Sequence, residues 1–492
     1  MESHDVVQFL KDKTILITGG TGFLAKIFLE KILRIQPNVK KIYLLMRAGD
    51  TNSATQRMLK EFVEKEVSRV LRNIWGANLH SFILGKVVAV PGDVSYDNMG
   101  VRDCNLREEM CREIDIIFNV AATTNFDERY DVALGTNTMG AFHALSFAKK
   151  CVKVKMFFHV STAYVCGERS GVIAEKPFYM GESLEGTYKL DITAEKKLVQ
   201  ETLNELEAQH VTKEVITSTM KDLGTKRARL YGWPNTYVFT KAMGEMMLGY
   251  YKENLPLVII RPTMITSTYQ EPFPGWIEGL RTIDGTIFGF AKGKLKCLPG
   301  KHDAIVDLIP ADMVVNAMLM GMAACGNQNS CEEIIYHIGS SIRNPVTSSN
   351  IQEFSYHYFT KYPYINKNGK AAKVRKITVL DTSAKFRRYI AIRYVLPLKV
   401  LQLMNWILCQ CFKNICIDYQ RNIKFVMRLV ELYKPYLFFN AIFDDTNTEN
   451  LRMTMRKSDM EMDGFNFDPE CIDWEDYIMY THIPGLLKYA VK

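Results

Sequence analysis

Residues 14–25, TILITGGTGFLA, constrain the fold of this chain more than any other stretch. Thr14 to Thr18 form a short β-branched and apolar run of the kind that makes a buried parallel strand. Gly19, Gly20 and Gly22 break that run, and Phe23 to Ile35 continue in an amphipathic helical pattern. A strand, a glycine turn and a helix start in this order make a phosphate cradle. The glycines let the backbone come close, and the free N–H groups and positive end of the helix face an anion. The spacing Gly19-x-x-Gly22-x-x-Ala25 is a dinucleotide-binding fingerprint with Ala at its last position, where helix packs on strand. Gly19, Gly20, Thr21, Gly22, Phe23 and Leu24 are therefore the expected pyrophosphate contacts.

The following strands decide between this reading and an ordinary tight turn. Lys41 to Leu45 (KIYLL) read as a second buried strand ending at Arg47, where an NAD-binding chain places a carboxylate for the ribose 2′-hydroxyl. A guanidinium suits a 2′-phosphate, so NADPH is the expected cofactor. Val87 to Val90 give a third strand leading to Asp93, placed to accept from an adenine amino group. Ile114 to Asn119 give a fourth, opening into Val120-Ala121-Ala122, and Met156 to Val160 a fifth. A helix is expected from about Asn137 to Lys150. Asn119 and Ala121 join the expected cofactor contacts, since small residues at a strand's carboxyl end leave room for one. Strands alternating with helices predict an α/β fold, a Rossmann-type doubly wound parallel sheet.

Acid–base chemistry enters after the fifth strand. Ser161 and Thr162 put hydroxyls at its carboxyl end, and Tyr237-Val-Phe-Thr-Lys241 opens a helix running to about Lys252. A spacing of four puts Tyr237 and Lys241 on one helix face. A phenol with a pKa of about 10 exchanges protons at neutral pH only if a cation stabilises its phenolate, and Lys241 can supply that charge and reach a nicotinamide ribose. Alone, Y-x-x-x-K is a weak pattern; behind a glycine turn and a Ser-Thr strand end it is specific.

Composition narrows the class. With 492 residues and 47% hydrophobic content the chain can bury a large core. A net charge of +8 is modest for this length and gives no support to nucleic-acid binding. The eleven cysteines include no C-x-x-C pair and the nine histidines show no metal-ligand spacing, so no metal site is expected. The N-terminal MESHDVVQFLKDK has neither an apolar signal core nor the Arg/Ser-rich character of a plastid transit segment.

Together, Gly19 to Ala25, Asp93, Asn119-Val-Ala, Ser161-Thr162, Tyr237-x-x-x-Lys241 and Ile259-Ile-Arg-Pro-Thr263 resemble the extended short-chain dehydrogenase/reductases. More narrowly, residues 232–247, RPTMITST (261–268), EPFPGWIEG (271–279) and residues 431–452 resemble the plant alcohol-forming fatty acyl-CoA reductases. The resemblance implies that Pro262 and Thr263 lie at the nicotinamide end. It also implies a long-chain or very-long-chain acyl-CoA substrate, reduced by NADPH through an aldehyde to a primary alcohol, as in wax and suberin lipids, with CoA released. Thr162 is the implied carbonyl partner, Ser161 its support, Tyr237 the proton donor and Lys241 its tuner. The implied location is the cytosolic face of the endoplasmic reticulum or the cytoplasm. A reductase that stops at the aldehyde shares these motifs, a nucleotide-sugar epimerase or dehydratase shares the Tyr and Lys, and a non-catalytic NADP sensor would need the glycine turn alone.

Ser161 and Tyr237 stand 76 positions apart, because residues 168–231 form an insertion expected to hold two charged helices, near 193–209 and 213–230. Leu257 to Ile260 give a sixth strand. The expected domains are a reductase domain, 1–366, with a smaller substrate lobe at 264–366, and a mostly helical C-terminal domain, 367–492. Pro272, Pro274 and Gly275 stiffen a loop whose Phe273 and Trp276 either line an acyl channel or pack in the core. In the C-terminal part, a basic stretch precedes the apolar residues 389–412, interrupted by Arg393, Pro397 and Lys399. These breaks argue against a membrane span. Residues 367–412 are expected either to meet a membrane surface peripherally or to form a buried helix.

Overall fold

The computed structural model describes residues 3–293, 295–326, 333–407, 410–456 and 464–491. Seven parallel strands make the main sheet: β1 Thr14–Thr18, β2 Lys41–Met46, β3 Val87–Pro91, β4 Ile116–Asn119, β5 Met156–Val160, β6 Leu257–Pro262 and β7 Glu333–Ile338. Their order across the sheet is β7-β6-β5-β4-β1-β2-β3. This is the doubly wound order, which reverses between β1 and β4 and so opens a ligand crevice at their carboxyl ends. Ile15 stands beside Ile42 on one side and Ile116 on the other, and all five residues of β1 are buried. Strands covered on both faces read as continuous apolar runs, which is why they were visible in the sequence.

Helix α1, Phe23–Ile35, follows the glycine turn. Its pattern predicts one wet face, yet every residue from Phe23 to Leu33 is buried. Lys26 pairs with Glu278 at 2.7 Å, while Lys31 pairs with Glu271 and donates to Asn316 Oδ1 at 2.6 Å. Burying a charge costs several kcal/mol unless it is paired, and here the partners come from residues 271–278 and from α5, Ala311–Gly326. Before α5 come α2, Ile192–Ala208, α3, Lys213–Leu230, and α4, Thr236–Tyr251.

The chain divides into two compact units, and the division differs from the one expected at residue 366. The first unit comprises Met1–Leu280, Asp307–Asn344 and Ile442–Lys492; the second comprises Arg281–Val306 and Pro345–Ala441. One strand of the expected substrate lobe is thus part of the main sheet, since Glu333–Ile338 pairs with β6 throughout its length. The last segment likewise leaves the expected C-terminal domain. It covers the free edge of β7, where Asn447 Nδ2 donates to Ile335 O at 2.9 Å and Thr448 Oγ1 donates to His337 O at 2.8 Å. An uncovered edge strand invites foreign pairing, so this return protects the β7 edge.

The second unit holds a two-stranded pairing of Cys297–Pro299 with Thr378–Leu380 and two long helices, α6, Ser383–Ile407, and α7, Lys413–Leu437. Helix α6 runs unbroken through Arg393, Pro397 and Lys399. By length and composition it could cross a membrane, and only 11% of its most apolar window is buried. The buried-helix alternative is therefore not what forms.

Candidate active site

The glycine turn after β1 meets the end of β4. Gly19 has φ +67°, and a Cβ there would lie 2.7 Å from Ala121 Cα and 2.9 Å from Ala121 N. Only glycine tolerates both that backbone and that approach. Gly22 N donates to Gly19 O at 2.8 Å, and Gly22 caps α1 without a side-chain hydrogen bond. Helix α1 starts directly at this turn with its positive end towards the crevice, so the turn fits a dinucleotide pyrophosphate.

Arg47 is exposed beyond β2, as expected. A second cation was missed in the sequence. Arg57 donates from Nη1 to Arg47 O at 2.8 Å and from Nη2 to Thr21 Oγ1 at 3.4 Å, joining the end of β2 to the phosphate turn. Its available signal was the Asp50 helix cap, which starts the helix Thr51–Met58 and brings residue 57 back towards the strand end. Asp93 is held by Ser95, whose N and Oγ donate to Oδ1 at 2.9 and 2.8 Å. Asn119 has its side chain committed inside the protein: Thr18 Oγ1 donates to its Oδ1 at 2.7 Å, and its Nδ2 lies 3.0 Å from His159 Nδ1.

The expected chemical residues gather where β5 and β6 end. Lys241 is 1% exposed, and its Nζ donates to Val160 O at 2.7 Å, which ties α4 to the residue before Ser161. Tyr237, half-buried one turn earlier on α4, stacks on Phe126 with ring centroids 5.8 Å apart. Ser161 N donates to Ile260 O at 2.7 Å, while the buried Ser161 Oγ has no hydrogen-bond partner among the described residues. An orphaned buried hydroxyl costs free energy unless a ligand satisfies it. Thr162 makes long contacts, donating to Pro262 O at 3.5 Å and accepting from Tyr164 N at 3.4 Å. Thr263 N donates to Ile338 O at 3.0 Å. Burial brings the Lys241 amine down to about 8, with Glu245 acting in the opposite direction. Burial and the nearby Lys241 hold the His159 imidazole well below its ordinary range, hence neutral.

The helical insertion packs beside this site. Glu195 of α2 accepts from Tyr130 Oη at 2.8 Å and from Tyr231 Oη at 3.1 Å, and it pairs with Arg227 of α3. Lys221 of α3 pairs with Asp127 at 3.4 Å, next to the Phe126 ring that stacks on Tyr237. Trp233 Nε1 donates to Val165 O at 2.8 Å, fixing the approach to α4.

Comparison with known proteins decides the family. The family described as "Male sterility protein" matches in two parts, an NAD-binding part over residues 17–318 and a second over 393–492. Fatty acyl-CoA reductase 1 of Arabidopsis thaliana is 55% identical, and the alcohol-forming fatty acyl-CoA reductase of Simmondsia chinensis 52% identical, each over 100% of both chains. The chain belongs to the fatty acyl-CoA reductases. Among solved structures, the terminal R domain from the myxalamid PKS-NRPS biosynthetic pathway matches with a TM-score of 0.57 at 18% identity. That match covers 97% of this reductase and 91% of the R domain, and it speaks to the fold alone.

In this reductase the aromatic loop packs as core. Phe273 and Trp276 are 6% and 3% exposed, Trp276 lies 5.1 Å from the Phe23 ring, and the Arg69 guanidinium sits 3.7 Å over Phe273. Of the two expectations for that loop, packing is the one these contacts meet.

Proposed function

We propose that this oxidoreductase converts a long-chain or very-long-chain fatty acyl-CoA to the primary alcohol with NADPH, through an aldehyde and with release of CoA. The observation that carries the reading is the junction of α4 with β5, where Lys241, one turn after Tyr237, bonds to the end of the strand that delivers the Ser161 hydroxyl, unpartnered among the described residues. Bound NADPH would supply hydride, once to the thioester carbonyl carbon and once to the aldehyde carbon. Ser161 and Thr162 donate to the carbonyl oxygen as negative charge builds on it, an electrostatic contribution of the oxyanion-hole type. The hemithioacetal then collapses, expelling CoA thiolate. In the second reduction Tyr237 gives its proton to the alkoxide oxygen, and the Lys241 ammonium stabilises the phenolate left behind. Arg47 and Arg57 support the choice of NADPH, since two guanidinium groups flank the place where a 2′-phosphate would sit. Tyr237→Phe tests the assignment: NADPH binding persists and alcohol formation is lost, whereas unchanged turnover contradicts it.

The same reading places the substrate at a membrane surface. On α6, Ile392, Leu396, Val400, Leu403 and Ile407 recur every three or four residues, and each is more than half exposed; Trp406 is 79% exposed. Lys385, Arg387, Arg388, Arg393 and Lys399 are exposed on the same helix. An apolar stripe with cationic neighbours suits the headgroup boundary of an anionic bilayer, where acyl chains partition.

A further inference from the structure

A buried polar chain reaches Lys241 from behind, and its hydrogen-bond directions are all determined. Val120 N and Ala121 N both donate to Thr18 Oγ1 at 3.1 Å. With both lone pairs of that oxygen taken, its single proton goes to Asn119 Oδ1, 2.7 Å away. The Asn119 amide is thereby oriented, and its NH₂ faces His159 Nδ1 at 3.0 Å. His159 Nδ1 must accept, so the neutral ring carries its proton on Nε2. That nitrogen lies 3.1 Å from Lys241 Nζ, which also donates to Val160 O at 2.7 Å.

An Nε2–H can donate only to an amine lone pair. An ammonium at Lys241 would need Nε2 bare, which moves the ring proton to Nδ1 and sets it against the Asn119 NH₂. Turning the amide over would relieve that clash but would leave the Thr18 proton facing another donor. In either case a buried group loses its partner, which is unfavourable where water cannot replace it.

We propose that Thr18, Asn119 and His159 are positioning residues that lower the proton affinity of Lys241 in the cofactor-free protein, because His159 Nε2–H points at the amine and favours its unprotonated form over the ammonium. None of the three needs to touch the substrate. The other charged group acting on Lys241 is Glu245, one turn further along α4, and its carboxylate is taken up by Arg261 of β6 at 2.5 Å. The inference rests on Lys241 serving Tyr237. An amine that gains and loses its proton near the working pH can return a proton to the Tyr237 phenolate after each alcohol is formed, where an ordinary lysine would hold its proton too tightly. The lowered titration of Lys241 agrees in direction.

NMR of the full-length, cofactor-free protein tests this without turnover, so its result is separate from the acyl-CoA reading. In protein labelled at lysine 13Cε and histidine 15N, with Lys241→Arg and His159→Gln for assignment, His159 shows its proton on Nε2. Lys241 titrates more than one pH unit below the other lysines. Asn119→Asp keeps the acceptor for Thr18 but accepts from Nδ1–H, which reverses the tautomer and raises the Lys241 midpoint by at least one unit. Thr18→Val frees the amide and raises it by a smaller amount. A proton on Nδ1 in the unsubstituted protein, or a Lys241 midpoint unmoved by Asn119→Asp, overturns the proposal. The tautomer measurement decides even if a variant fails to fold.

Discussion

Arg261 closes on Glu245 through two nitrogens, Nη2 at 2.5 Å and Nε at 3.1 Å, and the two side chains are 3% and 1% exposed. The pair joins β6 to α4 one turn beyond Lys241. Removing one member leaves an uncompensated buried charge, so Glu245→Ala should lower unfolding free energy by about 3–5 kcal/mol. Glu245→Leu with Arg261→Met should recover much of that loss. Denaturant unfolding of the single and double variants checks both statements.

Arg47 and Arg57 should discriminate between the two nicotinamide cofactors. Replacing both by Ala should lower kcat/KM for NADPH about tenfold or more, the equivalent of one charge-assisted hydrogen bond, with NADH little changed. Steady-state kinetics with each cofactor reads the ratio, and an equal loss with both contradicts the assignment.

His337 gives a pH dependence with a definite sign. Its Nδ1 lies 2.9 Å from Asp444 O and its Nε2 lies 3.4 Å from Arg261 Nη1, and burial, then Arg261, bring it down to about 3. The unfolded chain takes up a proton near pH 6.5 while the folded ring stays neutral, so stability present above that pH is lost as pH falls towards 3. Relative to His337→Gln, the unsubstituted protein should lose about 1.4 kcal/mol between pH 7.5 and 5.5. Urea unfolding at the two pH values measures the difference.

The membrane reading predicts that Leu403→Glu with Trp406→Glu abolishes co-sedimentation with vesicles containing phosphatidylserine. Solubility should rise and turnover of a soluble, short acyl-CoA should be unchanged. Loss of binding in high salt should be partial, because the apolar stripe persists when charge is screened. Vesicle binding equal to that of the unsubstituted protein contradicts it.

What the sequence made legible followed from local physics. β1 and β5 are continuous apolar runs whose bounds match the expected ones, and α3 begins where Thr212 caps it, with α2 capped by Asp191. The glycine turn and the helix that carries Tyr237 and Lys241 were legible because each is marked by particular residues at fixed spacing. What stayed hidden depends on distant pairing. The apolar run 334–338 suits a strand, but only its pairing with β6 puts it in the main sheet rather than in a separate lobe. Lys26 and Lys31 look like solvent residues of an amphipathic helix until Glu278 and Glu271 are brought to them. Arg57 has no motif, and the Asn119 amide looks available to a cofactor until Thr18 and His159 take both its ends.

The most direct measurement is of product. Purified protein with NADPH and acyl-CoAs from about C14 to C24, with extracted lipids resolved by gas chromatography, should yield primary alcohol with little free aldehyde. Two NADPH should be consumed per alcohol, as two hydride transfers require. Aldehyde as the sole product would contradict the second reduction, and no lipid product with any chain length would contradict acyl-CoA reduction by this protein.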